Sequence, residues 1–159
     1  MIEATRSYEE AQALNLKVVS DHFHNEAPET VDKAIALYDD EITWEGPARG
    51  VVYRDPAQIK EMYLGIYQTI KMHSHTQLHR FATDEWVFDD CIYVGTIVDD
   101  KMVNLPYPVG TKVSMRLTHI FQLRDGRICR ENAYEIWRRA DDPTVNDDIP
   151  ADAVVTYYD

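Results

Sequence analysis

Basic residues are scarce in this chain. Lysine and arginine total 16 against 28 aspartates and glutamates, a formal net charge of −12 over 159 residues. Such a field repels a phosphate backbone, and no Lys/Arg stripe interrupts it, so nucleic acid and anionic membrane surfaces are poor partners. Cysteine is rare too. Cys91 and Cys129 each fall inside a predicted strand, and two isolated thiols make neither a disulfide framework nor a paired CxxC motif. The start, Met1-Ile2-Glu3-Ala4-Thr5-Arg6, lacks a basic stretch leading into an apolar run. No signal peptide is therefore expected, and the cytoplasm is the expected compartment. No uncharged apolar run approaches membrane-spanning length. A Gly-rich phosphate loop and a Ser nucleophile elbow are missing as well, which argues against nucleotide cofactors and covalent hydrolysis; no cofactor is expected.

What is present suffices for one core. Hydrophobic residues make up 45% of the chain, enough at this length for a single domain, expected over residues 1–140. An acidic, Pro-punctuated tail, 141–159, follows, and is expected to lie along the surface or along a partner subunit. Ser7 with Glu10 three residues later makes a capping box, and Ala11, Leu14, Val18, Val19 and Phe23 recur at helical spacing. Pro28 marks the first turn of a second helix with Val31, Ala34, Ile35 and Tyr38 inward, ended by Asp39-Asp40. A short strand Glu41 to Trp44, a turn through Gly46-Pro47 and a strand near Val51 to Tyr53 come next. Asp55-Pro56 opens a long third helix with Ile59, Met62, Tyr63, Ile66, Tyr67 and Ile70 on one face. Strands are predicted at about 74–82, 86–98, 112–123 and 127–138, the last two joined by the tight turn Arg124-Asp125-Gly126-Arg127.

Helices segregated from an antiparallel sheet make an α+β fold. Long antiparallel strands twist, and a curved antiparallel sheet wrapped around a long helix leaves a cone with a pocket in its mouth. Within that frame His119 alternates with Met115, Leu117 and Phe121, so it points inward among apolar side chains. It is either a general acid/base or a hydrogen-bonded core residue. Glu131 and Glu135 share one face of the last strand, next to the strand of His119. A His–carboxylate pair there is a base with its orienting group, and a solvated rim glutamate is the plainer alternative. His73, His75 and His79 occupy odd positions on one predicted strand and so point the same way. Two of them can share a zinc ion, or the row can simply be polar surface; no complete ligand set is visible, and no metal is assigned. Trp44 and Tyr67 form a flat wall for a ring-shaped ligand, with Tyr38 among the lining aromatics. Arg116 falls on the outer face with Ser114, Thr118, Ile120 and Gln122.

Two stretches resemble a known family. Ala36-Leu37-Tyr38-Asp39-Asp40-Glu41-Ile42-Thr43-Trp44-Glu45-Gly46-Pro47 resembles the helix-to-strand passage of the nuclear transport factor 2-like superfamily, which includes ketosteroid isomerases and SnoaL-like polyketide cyclases. Leu117-Thr118-His119-Ile120-Phe121-Gln122-Leu123 with Asp125-Gly126-Arg127-Ile128 resembles its last hairpin. The resemblance implies the cone-shaped, cystatin-like α+β barrel and a homodimer through the outer face of the sheet. It also implies cofactor-independent acid/base chemistry (cyclisation, dehydration or isomerisation) on a hydrophobic cyclic carbonyl compound, or a non-catalytic module that binds a small hydrophobic ligand. The isomerase base position carries Gly46 here, with Glu45 beside it, so steroid isomerisation itself is not implied. The acid on the oxyanion side of those enzymes falls on His119, and a first-helix tyrosine falls near His22, which the resemblance thereby places at the ligand. A last-strand carboxylate of SnoaL-like enzymes falls on Ala133, between Glu131 and Glu135.

Overall fold

The computed structural model describes residues 6–159, so the start of the chain, read above for a signal peptide, lies in its first five residues outside the described residues. Helix α1 (Tyr8–His24) starts as the sequence dictates. The Ser7 hydroxyl accepts from the Glu10 backbone, and the Glu10 carboxylate accepts from Ser7 N, which satisfies two N-terminal donors at once. Helix α2 is one short piece, Val31–Ile35. Strand β1 then runs Tyr38–Gly46, a 3₁₀ turn covers Pro47–Arg49, and β2 is Val51–Tyr53. Asp55 caps α3 (Pro56–Thr69) through its carboxylate on Ala57 N. The four long strands β3 (Ile70–Ala82), β4 (Trp86–Ile97), β5 (Lys112–Arg124) and β6 (Arg127–Arg139) follow, and β7 (Val154–Tyr157) is last. Among the described residues no helix is long and apolar enough to cross a membrane.

Two details depart from the sequence reading. The second helix stops before Tyr38, whose neighbourhood is strand: Tyr38, Ile42, Trp44 and Gly46 are the buried positions of β1, a period of two rather than 3.6. The sheet is also mixed, not wholly antiparallel. Its order is β2-β1-β6-β5-β4-β3-β7, and β1 pairs parallel with β6, Trp44 opposite Glu131. A long crossover separates those two strands, so no hairpin fixes their relative direction, and β1 takes the one that buries its apolar side with that of β6. The hairpin between β5 and β6 does follow the prediction, with Asp125 at φ 53° and Gly126 at φ 77°, the left-handed pair of a tight hairpin turn.

One face of the curved, unclosed sheet carries the core. Val19, Ile42, Ile59, Val87, Phe121 and Ile128 are buried there, each side chain contributing about 1.5–3 kcal/mol of transfer free energy. The outer face is polar at one end, where Asp147 accepts from both Arg116 and Arg138. The acidic tail is thus tied to the outer face before β7 pairs antiparallel with β3.

Gly95 lets β3 approach β4. A Cβ there would lie 2.7 Å from Ile70 Cγ2 and 2.9 Å from the Lys71 carbonyl oxygen. The register of β3 shifts at this point, between Met72 and Ser74. We expect Gly95→Ala to destabilise the fold by about 1–3 kcal/mol through overpacking, read as a lower urea midpoint. An unchanged midpoint would mean that β3 can move off at no cost.

Candidate functional site

A cavity of about 380 Å³ opens between the inner face of β3–β6 and helices α1 and α3. Its walls are apolar, with Phe23, Trp44, Ile66, Tyr93, Met115 and Leu117 among them, while Glu26, Tyr63, His75, His119 and Glu131 bring polar atoms to it. Two separate buried polar clusters result.

Glu131 of β6 centres the first. The Tyr38 hydroxyl donates to Glu131 Oε2 at 2.5 Å and the Tyr63 hydroxyl donates to Oε1 at 3.1 Å. His22 Nε2 stands 3.0 Å from Glu26 Oε1 and 3.5 Å from Glu131 Oε2, while His22 Nδ1 donates to the Ala34 carbonyl at 3.3 Å. Ala34 O can only accept, so Nδ1 carries hydrogen, while Nε2 lies 3.1 Å from the Tyr63 hydroxyl and 3.3 Å from that of Tyr38. The two carboxylates beside Nε2 favour the imidazolium. Burial opposes that charge, yet hydrogen bonding to Glu131 and Glu26 overrides it and lifts the His22 pKa to about 10. For Glu131, burial alone would raise the carboxyl; His22 beside it and the Tyr38 hydroxyl hold it below the usual carboxylate range. Burial and the adjacent Glu131 charge keep Tyr38 and Tyr63 protonated well past their ordinary values. The sequence placed His22 and Tyr38 at the ligand; they sit behind Tyr63 and Glu131, which line the cavity.

The second cluster surrounds His119. A last-strand glutamate was expected as its partner, but the register puts Ala133 of β6 directly opposite. The nearby carboxylate comes from the other neighbour, β4: Asp89 pairs with His119 across the sheet, with Oδ2 3.7 Å from His119 Nδ1. Arg80 Nε donates to the other oxygen, Oδ1, at 2.7 Å. Burial pulls the His119 pKa down, and the Asp89 carboxylate with Glu131 more than offsets this, so it lies above the ordinary histidine value. His119 stacks near Phe121 and meets Phe23 edge-on at 5.1 Å. Nδ1 is buried toward Asp89, which leaves Nε2 as the nitrogen on the cavity side of a ring that lines it.

Glu135 also lines the cavity, but its carboxylate is taken. Arg49 grips it through Nε at 2.9 Å and Nη2 at 3.0 Å, and Trp137 Nε1 donates at 2.7 Å. Trp44 and Tyr67 both reach the cavity wall. The histidine row is broken by register shifts of β3 between Met72 and Ser74 and between Gln77 and His79. His75 faces the cavity and stacks on Tyr93 at 4.6 Å. His79 pairs with Asp90, whose carboxylate meets Arg116 on the outer face, and His73 is bonded to the Thr96 hydroxyl at 2.8 Å. A side-chain count by parity fails wherever a bulge intervenes. Among the described residues, the groups whose donor atoms converge as metal ligands do are Asp89/Cys91/His119 and His22/Glu26/Glu131.

Asp89, Tyr63, Glu26 and Arg49 were not singled out from the sequence as site residues. One signal for Asp89 was legible. In Val87-Phe88-Asp89-Asp90-Cys91 two adjacent acids sit in an apolar strand, and alternation forces one of them inward. Arg49 and Glu26 lie in turns and helix ends, where no period indicates a face.

The fold has many relatives of known structure. A nuclear transport factor 2-like protein from Burkholderia xenovorans LB400 superposes with a TM-score of 0.66 at 12% identity, over 79% of this chain and 91% of that one. A candidate polyketide cyclase from Xanthomonas campestris pv. campestris gives 0.64 at 15% identity, over 78% and 91%. An LEH-like epoxide hydrolase from M. tuberculosis gives 0.60 at 14% identity, over 79% and 84%. No curated protein sequence matches the chain. Identities this low establish the shared fold and no more. The sequence itself, however, matches the SnoaL-like domain model from residue 19 to residue 131, from the last turns of α1 to the start of β6 and through both buried clusters, and the chain therefore belongs to the SnoaL-like family.

Proposed function

We propose that this chain is an enzyme of cofactor-independent acid/base chemistry acting on a hydrophobic, cyclic, carbonyl-containing molecule, by cyclisation, dehydration or isomerisation. The observation that carries this reading is His119. Its imidazole lines an apolar cavity with a carboxylate behind it and no hydrogen-bond partner on Nδ1. A core histidine serving only structure has its nitrogens tied to partners. His22 is tied in that way and His119 is not. Nε2 takes a proton from carbon next to the substrate carbonyl, and Asp89, held by Arg80, steadies the resulting imidazolium. Tyr67, on the cavity wall, donates to the carbonyl oxygen as negative charge develops there. Trp44, Tyr93 and the methionine side chains exclude water and accept a flat ring. Glu131 serves as the buried anchor of Tyr63 and His22, and Glu135 as the anchor of Arg49.

The same reading includes a homodimer through the outer face, which exposes Phe81, Trp86, Tyr134 and Ile136.

The test is a thermal-shift screen of aromatic polyketide fragments, terpenoid ketones and steroids on wild type and His119→Ala. A ligand at 100 times its Kd adds about 2.7 kcal/mol of stability. Cyclic ketones are expected to raise the melting temperature of wild type more than that of the variant, and the best binder is expected to be turned over by wild type alone. Equal responses from both proteins would remove His119 from the site. Binding with no turnover by either would leave a ligand-binding module instead.

A further inference from the structure

Of the two clusters whose donor atoms approach within 4.8 Å of one another, the one around Glu131 is occupied by its own protons. Two tyrosine hydroxyls and His22 already fill the space between the carboxylates. The Asp89, Cys91 and His119 cluster differs. Asp89 and Cys91 are two apart on β4 and so share the inner face, and His119 lies directly opposite Asp89 on β5. All three are buried, Asp89 to 1% exposure, Cys91 to 0% and His119 to 6%. Asp89 Oδ2 and His119 Nδ1 face each other across 3.7 Å, and neither has a hydrogen-bond partner.

That separation is too long for a hydrogen bond. Across a tetrahedral zinc ion, bonds of about 2.0–2.1 Å to N and O set the two ligand atoms about 3.3–3.4 Å apart, so the gap is within a few tenths of an ångström of what the ion requires. Cys91 Sγ supplies the third donor. Its thiol now donates to the Leu117 carbonyl at 3.4 Å, and a thiol is a weak donor. Arg80 fixes Asp89 Oδ1 and so aims Oδ2, as the outer partners of metal-bound carboxylates do. A mixed sulfur, nitrogen and oxygen set selects zinc over magnesium or calcium.

We propose that Asp89, Cys91 and His119 form a Zn²⁺ site, with a fourth position open to water. On binding, Cys91 gives up its thiol proton and His119 Nδ1 any proton it holds, both to solvent, while the metal takes the two freed electron pairs. The remaining imidazole proton is then fixed on Nε2, the cavity-side nitrogen. A ring so loaded donates and cannot accept, so zinc would switch off the proton abstraction proposed above; this consequence rests on that reading, and the site itself does not.

Cobalt reports the site without any substrate. The full chain, freed of metal by a chelator, is titrated with Co²⁺. The expected result is binding of one equivalent, with sulfur-to-cobalt charge-transfer absorption in the near ultraviolet and the strong visible bands of a four-coordinate ion. Zn²⁺ should displace the cobalt and raise the melting temperature. Cys91→Ala should lose the charge-transfer band, His119→Asn should lose stoichiometric binding, and Cys129→Ala should keep both. Loss of a ligand should weaken zinc binding by more than the roughly 10–100-fold that removal of an outer partner costs. Should Cys91→Ala fail to fold, survival of the band in Cys129→Ala still assigns the sulfur, since the chain has two cysteines. A folded wild type without the band, or a band that persists in Cys91→Ala or vanishes in Cys129→Ala, overturns the site. Cobalt binding by a chain that, when freed of metal, turns over no ketone keeps the metal site and fails the catalytic reading; turnover by the metal-free chain without cobalt binding does the reverse.

Discussion

Glu131→Ala should lower the free energy of unfolding by about 3–5 kcal/mol, the cost of stripping one partner from a buried ion pair. The size follows from what the variant leaves behind. Glu131 accepts from Tyr38 and Tyr63 and faces His22, and the site is sealed: Glu131 and His22 are both at 0% exposure. Without the carboxylate, an imidazolium loses its main counter-charge and two buried hydroxyls lose their acceptor, each a desolvation penalty with no compensating bond. Glu131→Gln keeps an oxygen and most of the volume, so it should lose less, and the difference between the two variants separates hydrogen bonding from charge. Urea denaturation with unchanged slope is the measurement. A loss below about 1 kcal/mol for the alanine variant, the level of a surface ion pair, would show that His22 discharges at no cost and that the cluster is not ionic.

Wild-type stability should decline as the pH rises from about 6.5 toward 10, and His22 is the reason. Its pKa is raised from 6.5 to about 10 in the fold. Between those values the folded chain holds a proton that the unfolded chain has released, so stability falls with rising pH. The contribution is complete below 6.5 and gone above 10. Each tenfold gain in proton affinity on folding corresponds to about 1.4 kcal/mol, so the loss is on the order of several kcal/mol. Glu131 acts in the opposite direction. Its pKa is lowered in the fold, so its contribution is present above the ordinary carboxylate value and fades as the pH drops below it. The pair is thus at full strength between the carboxylate range and 6.5. The groups facing His22 are Glu26 on the turn that follows its own helix, Tyr38 of β1, Tyr63 of α3 and Glu131 of β6; both tyrosines stay protonated through the window because burial pushes them up. The His119 pKa is raised as well and adds to the wild-type slope, so the His22 share is the difference between wild type and His22→Gln. Equal slopes in the two proteins, or a folded-state His22 imidazole that titrates near 6.5 by NMR, would refute the assignment.

The two buried clusters hold their histidines differently. His22 is enclosed by partners on α2, β1, α3 and β6 and holds those elements together. His119 sits between Phe23 and Phe121 with one nitrogen unpartnered. A conventional core would satisfy that atom, and an unsatisfied buried group is costly unless function or a ligand accounts for it.

The elements themselves were legible in the residues. Capping at Ser7 and Asp55, the Asp125-Gly126 turn, the helical spacing of α1 and α3 and the alternation around His119 are encoded by neighbours a few positions apart, and local chemistry suffices to read them. Those signals establish an α+β chain with its long strands in hairpin order, place His119 inward and Trp44 on the pocket wall, leave the inward face of the last strand open, and carry the family resemblance. Which groups meet was decided only by the tertiary structure. Asp89 lies 30 positions before His119 and reaches it through β4–β5 pairing. Glu131 meets Tyr38, Tyr63 and His22 because β1 joins the sheet parallel to β6 and both helices close over it. Bulges in β3 split a histidine row that looked continuous, and the acidic tail returned to supply a seventh strand. A one-residue slip of register turns every side chain to the other face, and that register is set by long-range burial and turn geometry, which no short window of sequence contains.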